Sequence, residues 1–92
     1  MKNISYLKDE IQDAKAQFIS FKGDNKRFDL VIFTSPFFSE DKIVLDLNTN
    51  KYSKLNQETI EKTSDVEHAL HYNEMEADEF RLFVKPLLKS DS

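Results

Sequence analysis

The 92-residue chain has no cysteine, no tryptophan, one glycine and two prolines. Without cysteine there is no disulfide framework, zinc ribbon, thiol nucleophile or iron–sulfur ligand set. With Gly23 alone, neither a G-x-G-x-x-G dinucleotide turn nor a phosphate-cradling P-loop can be written. A G-x-S-x-G nucleophile elbow fails for the same reason. Long apolar runs are also missing: the longest strongly apolar stretch is Leu30-Val31-Ile32-Phe33, against about 20 residues for a membrane span. Met1-Lys2-Asn3-Ile4 brings a charge but no apolar h-region, so no signal peptide is expected. These absences remove most nucleotide enzymes, hydrolases and membrane proteins, and a cytoplasmic protein is the default expectation.

What is present suits one domain over residues 1–92, with eight phenylalanines and three tyrosines to build a modest core. The formal net charge is −4, which argues against nonspecific nucleic-acid binding. The charge is uneven: residues 56–80 hold Glu58, Glu61, Asp65, Glu67, Glu74, Glu76, Asp78 and Glu79 against Lys62 alone. Such a stretch reads first as a solvated face and second as a docking surface for a basic partner protein.

From Lys15 to Leu55 the pattern is strand-like. Gln17-Phe18-Ile19-Ser20-Phe21 is rich in β-formers and stops at the turn signal Gly23-Asp24-Asn25-Lys26. Phe28 to Thr34 alternates until Ser35-Pro36, where proline removes a ladder donor. Lys42 to Leu47 and Lys51 to Leu55 follow, separated by Asn48-Thr49-Asn50. Short connections predict a meander of antiparallel neighbours.

The remainder is helical in character. Asn73 can cap a helix whose third position is Glu76, a capping-box pair. Ala77, Phe80, Val84 and Leu87, with Phe83 and Leu88 beside them, form an apolar stripe at 3/4 spacing. Pro86 predicts a kink or an end near Lys85. Residues 64–71 read as a shorter helical turn. The predicted fold is therefore α+β: a four-stranded antiparallel β-meander with C-terminal helices packed on one face.

Both faces of this sheet carry apolar residues. Phe28, Leu30, Ile32, Ile43 and Leu45 are expected on one, and Ile19, Phe21, Val31, Phe33 and Val44 on the other. An antiparallel sheet with one wet face alternates more cleanly with polar residues. The C-terminal helix can cover one face, and the 64–71 element only part of the second. A second copy of the chain is the expected cover, giving a homo-oligomer with Ile19, Phe21, Val31, Phe33 and Val44 at its interface. Phe37 and Phe38, adjacent after Pro36, either fold back on the core or extend that interface as aromatic anchors. The other reading of the second face is that the N-terminal segment folds over it.

Several blocks together resemble a known family. Phe18-Ile19-Ser20-Phe21-Lys22-Gly23, Arg27-Phe28-Asp29-Leu30-Val31-Ile32, Val44-Leu45-Asp46, Glu67-His68-Ala69 and the acidic helix through Phe83 are similar, in order and spacing, to a small family from low-GC Gram-positive bacteria catalogued as a domain of unknown function. The resemblance implies an α+β domain in the cytosol with no established activity. It also implies that Ile4 to Asp9 is extended, although the Ile4/Leu7/Ile11 spacing alone reads as helix.

Candidate chemistry is sparse. His68 and His71 lie three apart and would share a helix face, yet this is not H-E-x-x-H, and no third ligand has diagnostic spacing. No catalytic, cofactor or metal residue is assigned, and no enzyme activity is expected. Eight serines make a Ser-His-Asp set easy to draw and uninformative. Lys22, Lys26 and Arg27, flanked by Phe21 and Phe28, are the alternative: a basic, aromatic hairpin that binds single-stranded nucleic acid by phosphate contact and stacking. The leading expectation is a noncatalytic protein-interaction or regulatory domain that acts as a homo-oligomer.

Overall fold

The structure, a computed structural model, describes residues 11, 13–62 and 65–89. Alternating apolar and polar residues carry the first half into β1 (Lys15–Lys22), β2 (Arg27–Thr34), β3 (Lys42–Asp46) and β4 (Lys51–Leu55). These form one antiparallel sheet in the order β1-β2-β3-β4. The expected meander is present. The segment Ile4 to Asp9 lies outside the described residues.

Each turn has a local cause. The Gly23 N–H donates to the Lys26 carbonyl at 2.8 Å and closes the first hairpin. Pro36 opens a 3-10 turn over Pro36–Phe38, capped by the Ser35 hydroxyl, which accepts from the Phe37 N–H. That hydroxyl also donates to the Asp13 carbonyl at 2.9 Å. After β3, the Asp46 carboxylate accepts from the Asn48 and Thr49 N–H groups at 2.8 and 3.2 Å. Asn50 then turns the chain at φ 59, a left-handed conformation that Asn tolerates.

The helical half comprises a 3-10 turn at Thr59–Glu61, α1 (Asp65–Leu70), α2 (Glu74–Val84) and a closing 3-10 turn at Lys85–Leu88. Asn73 and Glu76 form the capping box, each side chain accepting from the other's backbone N–H at 2.8 and 3.0 Å. Pro86 converts the end of α2 into the tighter turn, as its missing N–H requires. Arg81 ties the layer together. Its guanidinium donates to the Ile60 and Lys62 carbonyls and to the Glu67 carboxylate at 2.7, 3.1 and 2.8 Å.

The core lies on one side of the sheet. Phe28, Leu30, Ile32, Val44 and Leu55 meet Ile60, Val66, Leu70, Tyr72, Ala77, Phe80, Val84 and Leu88, all buried. Phe28 stands at the centre of an aromatic group: Phe21 stacks on it at 4.7 Å, and Tyr72 and Phe80 approach at 5.4 and 6.4 Å. Such rings contribute beyond their buried area when offset or edge-on.

Candidate functional site

The strand register divides the apolar residues between the faces differently from the sequence expectation. Ile19 pairs with Leu30, Phe21 with Phe28, and Val44 with Ile32, so all three share the helix-covered face. Val44 is a core residue and Ile19 and Phe21 pack, partly buried, against that core, so none of the three belongs to the outer face. The Ile43 and Leu45 side chains move the opposite way, because they pair with Phe33 and Val31. Alternation assigns faces within a strand; only register assigns them between strands.

The outer face is built as rows across the sheet. Phe18, Val31, Leu45 and Tyr52 are consecutive partners on β1, β2, β3 and β4. A second row holds Ala16, Phe33, Ile43 and Lys54. Every buried residue of the helical layer joins the cluster on the other side, and among the described residues no helix covers these rows. Val31 in mid-row is 2% exposed, whereas Phe18 and Tyr52 at its ends are 75% and 65% exposed. Leu47, 45% exposed, continues the same face past β3. Exposed aromatics bordering an apolar strip are the composition of an interface core.

One end of the face is polar. The Asp29 carboxylate accepts from the Ser20 hydroxyl at 2.7 Å, the Asn48 amide at 3.2 Å and the Arg27 guanidinium at 3.2 Å. The Ser20 and Asn48 hydrogen bonds, with Arg27 adding charge, hold that carboxyl below its ordinary value. The Ser20, Asn48 and Arg27 donors occupy this carboxylate, so the group is a satisfied corner of the face.

The sequence candidates for chemistry are placed as structural residues. Lys26 sits over the rings of Tyr72 and Phe28 at 4.9 and 5.6 Å, with its amine 3.9 Å from Asp46. Arg27 is paired with Asp29. Phe28 is buried, and Phe21 is held between Phe28 and Phe83, its centroid 4.7 Å from each. The hairpin therefore offers no pair of free rings on which bases could stack. His68 lies in α1, and His71 follows it at φ 58. Among the described residues no three His, Asp or Glu side chains are grouped as metal ligands.

The acidic stretch is largely engaged within the chain. Glu61 pairs with Lys85 at 2.6 Å, Glu67 and Asp78 with Arg81, and Glu79 with Asn25. Burial works to raise the Glu67 carboxyl, but its bond to Arg81 and the charge there hold it low. Phe37 and Phe38 meet edge-on at 5.8 Å, Phe37 half exposed and Phe38 partly buried.

Two arrangements were not expected. Asp46 is fully buried and accepts the Tyr72 hydroxyl at 2.5 Å, joining the β3–β4 turn to the linker between α1 and α2. Burial and the adjacent carboxylate push the Tyr72 hydroxyl far above its ordinary range. The pair is enclosed and has no side open to a substrate. An open cleft of about 900 Å³ lies between the first residues of β1, the Pro36 turn and the Pro86-Leu87 turn. Lys42 on its wall donates to the Leu87 and Lys89 carbonyls at 3.1 Å, so this amine is a brace for the chain's last described turn.

Fold and surface define a small α+β domain: a four-stranded antiparallel meander, helices on one face, an apolar aromatic row on the other. The chain belongs to the SAV0927-like family, a small uncharacterised family whose model matches residues 7–86. No curated protein matches the chain. Among the described residues no helix is long and apolar enough to cross a membrane.

Proposed function

We propose that this chain is a noncatalytic protein-interaction domain that acts as a homo-oligomer, joined through the outer face of its sheet. The observation that carries this reading is the exposure of Phe18, Tyr52 and Leu47 on the outer face of the sheet, at 75%, 65% and 45%. Contiguous apolar surface of a few hundred Å² marks interaction sites in soluble proteins. The contacts of Lys26, Arg27 and the acidic side chains with their own chain support the same conclusion, since they leave the row as the distinctive surface.

Light scattering on the parent and on Phe18→Glu tests it. Phe18 is 75% exposed in the protomer, so a glutamate there leaves the subunit folded while placing a charge in the contact. The parent is expected to show a mass above 10.8 kDa at about ten times the midpoint concentration of a weak, micromolar contact. The variant is expected at the monomer mass with an unchanged circular dichroism spectrum. A parent that stays monomeric throughout contradicts the proposal.

A further inference from the structure

The two edges of the sheet differ. β4 is five residues long, carries Lys51 and Lys54, and has α1 packed against it. Short, charged or covered strands are the usual means by which an edge is kept from pairing. β1 is eight residues long and pairs with β2 in unbroken register from Lys15 with Thr34 to Lys22 with Arg27. It has no proline and no charge from Ala16 to Phe21. Among the described residues no strand lies beyond it. The Gly23 N–H donates to the Lys26 carbonyl, and the Asp13 carbonyl accepts from the Ser35 hydroxyl, so the odd-numbered residues turn their backbone groups toward β2. Alternation then turns the N–H and C=O groups of Ala16, Phe18 and Ser20 to the open edge, where no backbone hydrogen bond among the described residues reaches them.

This edge has apolar side chains on both layers and ends in the open cleft. Phe18 is 75% exposed on one side, and Phe83, against Phe21, is 45% exposed on the other. A strand added here would set alternate side chains beside these rings. Running antiparallel to β1, it would end beside Lys15, at the cleft lined also by Lys42, Lys89, Pro86 and Leu87. The Lys42 amine is partly buried and gives two of its three protons to the Leu87 and Lys89 carbonyls, with no ion pair. Lys15 and Lys89 are exposed and equally without an ion pair. Of the carboxylates at the cleft, Asp41 holds the Asn56 amide at 2.7 Å, and Asp13 and Glu40 stand in water.

We propose that β1 is a peptide-binding edge. An extended segment of another protein adds to it antiparallel, with its free C-terminal carboxylate on the remaining proton of Lys42 and its last, apolar side chain against Pro86 and Leu87. Main-chain bonds supply the affinity of such an added strand, and capture of the carboxylate selects a chain end. A second copy fits less well, because β1 itself carries Lys15 and Lys22 and neither a carboxylate nor a chain end. The edge is separate from the outer face, and the proposal does not rest on self-association.

The probe is the peptide acetyl-Thr-Val-Thr-Val-Thr-Leu, as the free acid and as the C-terminal amide, titrated into the protein while amide hydrogen exchange is followed by NMR. The Ala16, Phe18 and Ser20 amides are expected to exchange fast in the free protein and to become protected by the free acid. Ile19 and Phe21, already bonded to β2, should change little. The free acid is expected to bind about ten-fold more tightly than the amide, as one charge-assisted hydrogen bond allows. Lys42→Met should abolish that difference yet still bind the amide, which also shows that the variant is folded. Ala16→Pro removes an outward donor and no bond to β2, and should weaken both peptides. No protection at millimolar peptide, equal affinity for acid and amide, or a difference that survives Lys42→Met overturns the proposal. Slow exchange of the Ala16, Phe18 and Ser20 amides before any peptide is added also overturns it, since the edge would then already be covered.

Discussion

Gly23 backs directly onto the Glu79 carboxylate, so closely that a Cβ at residue 23 would overlap Glu79 Oε2. The same carboxylate accepts from the Asn25 N–H and side-chain amide at 3.0 and 2.8 Å. The tip of the first hairpin is thus fastened to the middle of α2. Gly23 has no positive φ; its lack of a side chain matters here for approach and not for backbone freedom. Gly23→Ala is expected to displace Glu79 and lose about 1 kcal/mol, the net contribution of such hydrogen bonds. In a Glu79→Ala background the same change is expected to cost almost nothing. Denaturant titration of the four proteins in this cycle checks it, and additive losses would contradict the contact.

The Tyr72 hydroxyl and buried Asp46 make a second cross-link. Tyr72→Phe strips the carboxylate of its closest donor, leaving Lys26 at 3.9 Å and the turn N–H groups. The expected loss is about 1–3 kcal/mol for a buried acceptor deprived of its partner. A pH signature accompanies it. Burial first, and the Asp46 bond and charge second, raise the Tyr72 pKa in the folded chain above the ordinary 10.0. The folded state therefore holds this proton more tightly than the unfolded state. The contribution is fully present below about pH 10 and is lost as pH rises beyond it. Alkaline unfolding curves of parent and Tyr72→Phe should converge; parallel curves would show that Tyr72 titrates normally.

Phe80 and Val84 test the helix-to-sheet contact. Both are fully buried on the α2 stripe. Phe80→Ala is expected to cost about 3–5 kcal/mol and Val84→Ala less, a large share of a total near 5–15 kcal/mol. Unfolding midpoints equal to the parent's would mean that the stripe does not face the sheet.

His71 occupies a left-handed position, φ 58, just after α1. Glycine or asparagine adopts that conformation more readily than histidine. His71→Gly is therefore expected to stabilise the protein by about 0.5–1 kcal/mol. Purified parent protein is expected to hold no stoichiometric zinc, nickel or copper. Destabilisation by His71→Gly, with one metal ion per chain lost, would instead make His71 a ligand.

Much of the architecture was legible because local signals agreed. Asn73 and Glu76 announced the start of α2, Pro86 its end, and the turn residues after Lys22 bounded β1, whereas β3 ends at Asp46, one residue before the expected Leu47. The face of each strand was harder. Lys22 pairs with Arg27 across the four residues 23–26, which sets Phe21 opposite Phe28, so that register was implicit in the hairpin length. Between β2 and β3 no such rule applies, because the connection folds into its own 3-10 turn at Pro36–Phe38. Whether Val44 or Leu45 joins Ile32 depends on how that turn uses its residues. Asp46 in the core was equally hidden, since its partner Tyr72 lies 26 residues away. An apolar outer face was anticipated, and the register changes its membership: Val31 and Phe33 stay, Ile19, Phe21 and Val44 leave, and Phe18, Leu45 and Tyr52 enter.

Sedimentation equilibrium of the unmodified chain, over a concentration series from about one to a few hundred micromolar, bears most directly on the central claim, since small interfaces give weak, reversible contacts. Self-association through this face predicts a weight-average mass that climbs with concentration from 10.8 kDa toward twice that value. A mass fixed at 10.8 kDa across the series would contradict it and show that the outer face of the sheet needs no second copy.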